Sequence, residues 1–195
     1  MTAKPICLII GAGDYIGAAI ARRFAKGGFH VVMGRRRGEM FAPLIAEIEA
    51  AGGSAQGFTW DARMEETATE MFAHVEGEIG PIDICIFNVG GNVRFPILDT
   101  TERVFRKVWE MCAYAAFLSG REAAKYMVER QKGSIFFTGA TASVRGSAGY
   151  AAFASGKFAL RGLAQSMARE LGPKNIHVAP WSLMRASTPH LSVTE

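Results

Sequence analysis

Apolar residues fall along the chain in two alternating rhythms. Short, nearly uninterrupted runs occur at Ile6–Ile10, His30–Met33, Ala55–Thr59, Ile82–Phe87, Ser134–Thr138 and Ile176–Ala179. Between them lie longer stretches in which apolar positions recur every three or four residues: Tyr15–Lys26, Glu39–Ala51, Glu65–Glu78, Thr101–Arg130 and Gly149–Leu171. A short apolar run bounded by turn residues predicts a buried strand, and the wider spacing predicts an amphipathic helix. Regular strand–helix alternation with short connections predicts an α/β fold, a doubly wound parallel sheet with helices on both faces. Right-handed crossovers then place the fourth strand beside the first, away from the second and third, in the order 3-2-1-4-5-6. The crevice of such a sheet opens at the carboxyl ends of the strands, where the order reverses. Two helix ends carry signals: Asp99-Thr100-Thr101-Glu102 has the spacing of a capping box, and Gly172-Pro173 is expected to close the helix before the last strand.

At 195 residues the chain has the length of one domain. It is 49% hydrophobic and holds 22 glycines, which suits a large core and many tight turns. The net charge of +4 is scattered among acids, and its densest run is Arg35-Arg36-Arg37. The run reads as a solvated loop or as an anion contact. No long basic stripe or interleaved aromatics accompany it, which argues against nucleic acid as a partner. Cys7, Cys85 and Cys112 lie in apolar stretches without ligand spacing, and the four histidines form no metal motif. The cysteines read as reduced, buried residues of a cytoplasmic protein with no metal centre. The N-terminal apolar run ends at Gly11, too short for a leader peptide or a membrane span.

Candidate chemistry begins where that first run ends. Gly11-Ala12-Gly13-Asp14-Tyr15-Ile16-Gly17 joins a strand to a helix. Such a turn seats a pyrophosphate: glycines permit the turn and close packing, and the helix start offers free N–H groups and a positive dipole end. Gly11, Gly13, Tyr15, Ile16 and Gly17 are therefore candidate cofactor-binding residues. Tyr15 stands where a glycine would let the backbone approach the ligand, so its ring must point away. After the second strand, Gly34-Arg35-Arg36-Arg37 replaces the acid that would bind a ribose 2′-OH. Arginine suits a 2′-phosphate, which favours NADP(H) over NAD(H) through Arg35 and Arg36.

With these residues in place the chain resembles the short-chain dehydrogenase/reductase family, from about Ala3 to Ala179. The family's Gly-x-x-x-Gly-x-Gly turn falls on Gly11, Tyr15 and Gly17, with Gly13 added. Its acidic adenine contact after the third strand falls on Asp61, and its Asn-Asn-Ala-Gly turn on Phe87-Asn88-Val89-Gly90. Gly133-Ser134-Ile135 and Ala168-Arg169-Glu170-Leu171-Gly172-Pro173 are also family-like. The resemblance implies a Rossmann-like fold, a nicotinamide cofactor bound in part by Asp61, Asn88 and Gly90, and oxidoreduction of a small-molecule substrate. Asp14 works against the NADP(H) preference, since some NADP-binding relatives carry a basic residue there.

The resemblance also implies a catalytic Asn, Ser, Tyr and Lys, and here most are replaced. Phe153-Ala154-Ser155-Gly156-Lys157 stands where the family has Tyr-x-x-x-Lys, Ala140 takes the Ser position and Cys112 the Asn position. Lys157 alone matches, as a contact to the nicotinamide ribose. A phenyl ring cannot donate a proton and alanine cannot bond a carbonyl. Tyr150, one helical turn before Phe153, and Thr141 are the candidate substitutes, with Ser143 on the same loop. Each also has a purely local role open to it: packing or capping for Tyr150, backbone bonding for Thr141 and Ser143. Lys157 has the alternative of a solvated surface residue. Two functions stay open, an oxidoreductase with a displaced donor and a non-catalytic dinucleotide-binding protein. The resemblance further implies a homodimer through the two long helices, with Ala113–Ala116 and Ala151–Ala154 as its close-packing face unless that face packs on the sheet.

After Ala179 the chain departs from the family, which continues through a substrate-covering segment and a seventh strand. Back-translating from Pro180 with one nucleotide restored yields Ala-His-Val-Val-Ile-Asp-Ala-Gly-Ile-Asp-Thr-Ala-Phe-Ile, a strand followed by the family's glycine and threonine. The expectation is a dinucleotide-binding domain over residues 1–179, a reading-frame shift near Pro180, an irregular tail over 180–195 and an exposed sixth strand. The alternative is a natural short member whose Pro180 matches the family's proline.

Overall fold

Residues 4–183 are described by the computed structural model. Six parallel strands form one sheet: β1 Ile6–Ile10, β2 His30–Arg35, β3 Ser54–Thr59, β4 Ile82–Phe87, β5 Gly133–Ala140 and β6 Ile176–Leu183. Their order is β3-β2-β1-β4-β5-β6, as the crossover rule predicts. The helices are α1 Ile16–Lys26, α2 Ala42–Ala50, α3 Glu65–His74, α4 Glu102–Trp109, α5 Ala115–Glu129 and α6 Ala151–Leu171.

The apolar run of β1 serves both faces of the sheet. Ile6, Leu8 and Ile10 enter the core under α3, α5 and α6, while Cys7 and Ile9 enter the core under α1 and α2. This is the period-two alternation of a strand buried on both sides. Cys7, Cys85 and Cys112 are all free and fully buried, and desolvation pushes the Cys85 thiol up to about 12.

Several element ends differ from the sequence reading. β6 continues four residues past Ala179, pairing Phe137 with Pro180 and Ala140 with Leu183. Backbone pairing to β5 carries the strand through the proline, which is tolerated on an outermost strand such as β6 is among the described residues. The expected irregular segment therefore starts no earlier than residue 184, and 184–195 lie outside the described residues. The expected single helix Thr101–Arg130 is divided by a π-helical turn, Glu110–Tyr114, that carries Cys112. Asp99 caps nothing: it lies in a 3₁₀ turn, and Thr101 caps α4 by accepting from the Val104 N–H at 3.3 Å. Gly172 keeps a right-handed conformation, and Asn175, at φ +61°, makes the left-handed turn into β6.

Ala113, Ala115, Ala116, Ala152 and Ala154 are buried within the monomer. The small-residue face assigned to dimer contact thus belongs to the chain's own interior, as its alternative reading allowed. The outward side of α5 and α6 instead forms a groove of about 640 Å³ whose lining includes Phe117, Leu163 and Met167. Among the described residues no helix is long and apolar enough to cross a membrane.

Candidate functional site

A crevice of about 400 Å³ opens at the carboxyl ends of β1, β2, β3 and β4. Its lining brings together Gly11, Gly13, Tyr15, Ile16, Gly17, Arg35, Arg36, Asp61, Asn88 and Gly90. Lys157 is the one sequence-named cofactor residue that does not line it.

The glycine-rich turn is held by backbone geometry. Gly11 has φ +81°, and a Cβ there would meet Val89 Cγ2 at 2.7 Å and Val89 N at 2.9 Å. Its N–H donates to Gly34 O at 2.8 Å, and its carbonyl accepts from Asn88 Nδ2 at 3.0 Å. Asn88 thereby ties the turn after β4 to the turn after β1. Gly17 lacks room for a side chain because a Cβ would overlap the Ala12 backbone, so its close contact is with the turn itself rather than with the sheet. A Cβ on Gly13 would meet nothing within 4 Å. Tyr15 is 88% exposed at the rim of the crevice that it helps to line. The first bond from α1 back into the turn is Ala18 N to Gly13 O at 2.9 Å. The N–H groups of Asp14, Tyr15, Ile16 and Gly17 have no partner among the described residues, the state of a helix start able to hold an anion.

Three arginines line the crevice, and two are engaged by acids. Arg35 Nη1 donates to Asp14 Oδ1 at 2.6 Å, its Nε donates to Arg37 O at 2.9 Å, and its guanidinium lies 5.0 Å from the Phe41 ring centre. Arg63 donates to Asp61 through Nε at 2.9 Å, through Nη2 and through its backbone N–H. This pairing holds the Asp61 carboxyl below its ordinary range, against partial burial. Arg36 is exposed and makes no hydrogen bond among the described residues. Arg35 and Arg36 of the arginine run thus line the crevice, while Arg37 is exposed outside its lining. Trp60, Arg63, Val89 and Met111 also line the crevice and were not foreseen. Only Arg63 left a signal in the sequence, the Asp-x-Arg spacing that allows an Asp side chain to bond two residues ahead. Trp60 has a counterpart in Gly34, where a Cβ would meet the indole at 2.7 Å.

The positions to which the resemblance assigns proton transfer come together in an apolar cluster. Phe153 and Cys112 are buried together with Val108 and Ala152, and Ala140, Met111 and Tyr150 pack against them. Lys157, 3% exposed, reaches this corner from α6 and donates to Thr138 O at 2.7 Å and Val89 O at 3.3 Å. It lies 5.9 Å from the Phe153 ring centre. It is not a solvated surface residue; burial pulls its ammonium below the usual lysine range, partly opposed by Cys112. Burial likewise raises the Cys112 thiol, with Lys157 and the Gly91 N–H pulling the other way. Ser143 Oγ accepts from Ala140 N at 3.0 Å, the local backbone role. Thr141 opens the same turn, its carbonyl accepting from Val144 and Arg145, and its hydroxyl bonds nothing among the described residues. Tyr150 precedes α6, its carbonyl accepting from Ala154 N at 2.8 Å while its ring meets the apolar cluster.

The chain is similar to proteins of one family over nearly all its length. Residues 5–191 match the short chain dehydrogenase family. Human dehydrogenase/reductase SDR family member 4 is 32% identical over 177 residues, 90% of this chain and 64% of that protein. The 2,3-dihydro-2,3-dihydroxybenzoate dehydrogenase of Bacillus subtilis is 31% identical over 172 residues, 88% of this chain and 66% of that protein. The chain thus spans about two thirds of the length of these curated relatives. A short-chain dehydrogenase structure from Rhodopseudomonas palustris superimposes with a TM-score of 0.88 at 59% identity, covering 91% of this chain and 84% of that one. NAD⁺-bound xylitol dehydrogenase (TM-score 0.89, 28% identity, covering 93% and 70%) and an actinorhodin polyketide ketoreductase with NADPH (0.87, 26%, covering 91% and 69%) have the same fold. With this match running through every strand of the sheet, the chain belongs to the short chain dehydrogenase family.

Proposed function

We propose that the crevice binds a nicotinamide dinucleotide, NADP(H) in preference to NAD(H), and that this chain carries out little or no carbonyl reduction. The carrying observation is the contrast between the cradle and the donor corner. The unpartnered N–H groups at the start of α1 and the open space at Gly13 fit a pyrophosphate. Arg36 supplies a free guanidinium at the wall where an acid would select a 2′-OH. Asp61, Asn88 and Gly90 flank the same space.

When bound, the cofactor would supply or accept hydride. Among the chain's own residues, Lys157 bridges the turn after β4 and the end of β5, fixing the wall next to the crevice. Phe153 offers no exchangeable proton, and Ala140 offers no donor to a carbonyl oxygen. Losing general acid catalysis typically costs about 10²–10⁴-fold in rate. A second reading, a displaced donor, is favoured by the packing of Tyr150 against Phe153's cluster; Thr141 is the weaker candidate, one residue past Ala140. In that case the substrate is a small molecule.

Titration calorimetry with NADPH and NADH tests the binding half. Tighter binding of NADPH supports the reading, and tighter binding of NADH overturns the preference. We further propose a homodimer through the outward faces of α5 and α6, where Phe117 is exposed beside Leu163 and Met167. A monomer in sedimentation at micromolar concentration would remove it.

A further inference from the structure

We infer that Lys157 is a positioning residue for the phosphate cradle: held on two backbone carbonyls, it acts on the glycine-rich turn through Val89 and does not itself touch the nicotinamide ribose. The inference rests on the reading of the crevice as a dinucleotide site and deepens it.

The Lys157 side chain is committed inside the fold. Lys157 is 3% exposed, and its ammonium donates to Thr138 O at 2.7 Å and to Val89 O at 3.3 Å, which uses two of its three donors. The donor corner offers it little else: Phe153 lacks a lone pair, and the Cys112 sulfur is a weak acceptor. A buried ammonium is costly without acceptors, so α6, the end of β5 and the turn after β4 are pinned to one another at this point. Lys157 does not line the crevice, whereas Val89 does. From Val89 the packing passes straight to the glycine-rich turn. A Cβ on Gly11 would stand 2.7 Å from Val89 Cγ2 and 2.9 Å from Val89 N, so the two turns touch without a gap. Asn88 secures the same junction, its N–H donating to Ile10 O at 2.7 Å and its Nδ2 to Gly11 O at 3.0 Å. Close-packed interiors transmit displacement. Releasing Val89 O therefore lets the turn after β4 shift, and with it the Gly11 backbone that leads into the free N–H groups of the cradle.

The test is calorimetric titration of the full chain with NADPH and with 2′-phospho-ADP, which keeps the adenine, 2′-phosphate and pyrophosphate but lacks the nicotinamide ribose. Lys157→Met removes the ammonium and keeps the length of the side chain. It should weaken both ligands by about tenfold, and by factors that agree within about twofold. In a Val89→Ala background, which removes the Cγ2 contact on Gly11, the same change should cost less than about threefold, a non-additive pair. Thermal unfolding of each variant separates a lost fold from lost recognition. A second measurement needs no variant: in the parent chain the Lys157 side-chain nitrogen resonance should move equally with 2′-phospho-ADP and with NADPH. A Lys157→Met loss confined to NADPH, or a resonance that moves with NADPH alone, shows direct ribose contact and overturns the inference while the dinucleotide reading stands. Unchanged affinity for both ligands, or an undiminished loss in the Val89→Ala background, also overturns it. Failure of the parent chain to bind either ligand overturns both.

Discussion

At the glycine-rich end of the crevice, backbone groups and charges face open space. The turn is closed by Gly11 at φ +81°, latched by Asn88 and walled by Arg35, Arg36 and Arg63. At the donor corner, Phe153, Cys112, Val108 and Ala152 fill the space, with Ala140 against them. The two regions respond to different constraints. Gly11, Gly17 and Asn88 are bound into the packing of β1, α1 and β4, so the cradle is part of what makes the chain fold. At the donor corner Phe153, Cys112, Val108 and Ala152 contribute packing, a constraint that other apolar sets of suitable volume also meet. A well-formed cradle in this chain therefore supports dinucleotide binding without also supporting turnover.

The sharpest way to break this comparison is catalysis. NADPH-dependent reduction of aldehydes and ketones by the chain should lie at least about 10²-fold below the rate expected with a proton donor in place. Phe153→Tyr alone should not restore it, because Ala140 still leaves a carbonyl oxygen without its partner. Robust turnover that disappears in Tyr150→Phe would identify Tyr150 as the donor and contradict the assignment.

The next effect is on stability. Phe153→Ala should cost about 3–5 kcal/mol in denaturant unfolding, the usual range for truncating a buried phenyl ring. A cost below about 1 kcal/mol would mean that the corner is not packed as described. The glycines allow a finer contrast. Gly11→Ala combines a left-handed φ with a contact at 2.7 Å, and Gly17→Ala would overlap the Ala12 backbone. Each should destabilise by about 1–3 kcal/mol and weaken dinucleotide binding. Gly13→Ala meets nothing within 4 Å, and should change stability by less than about 0.5 kcal/mol.

These contrasts also mark what the sequence could convey. The strand order, the identity of β1 and the crevice residues of the glycine-rich turn follow from apolar runs, glycine positions and the crossover rule, all of which act locally or through simple topology; Asp61, Asn88 and Gly90 come from the family resemblance. The ends of elements do not. β6 passes through Pro180 because β5 pairs with it, and the π turn at Cys112 interrupts a helical pattern with no glycine or proline to mark it. The engagement of Arg35 by Asp14 was equally hidden, since charges 21 positions apart are named by the sequence without being paired by it. The alanine face assigned to a dimer failed for the same reason: small residues at helical spacing serve an interior as well as an interface, and here the interior holds them.

A smaller effect concerns pH. The Arg63 pairing lowers the folded-state pKa of Asp61 below its unfolded value. The stability it contributes is therefore fully present above the ordinary aspartate range and is lost as pH falls through the lowered folded value. Because the pair is partly exposed, the contribution should be under about 1 kcal/mol. Asp61→Asn should flatten the acid limb of the stability curve by that amount, and an unchanged limb would show that the pair does not form in solution.

The comparison between cradle and corner is tested most directly by following NADPH fluorescence in one sample. NADPH is titrated to saturation and the bound complex is then held with a panel of aldehydes and ketones. The account predicts a saturable change that stays constant after carbonyl addition. Absence of saturation would contradict the cradle, and steady loss of the NADPH signal dependent on the added carbonyl would contradict a donor corner without a proton donor.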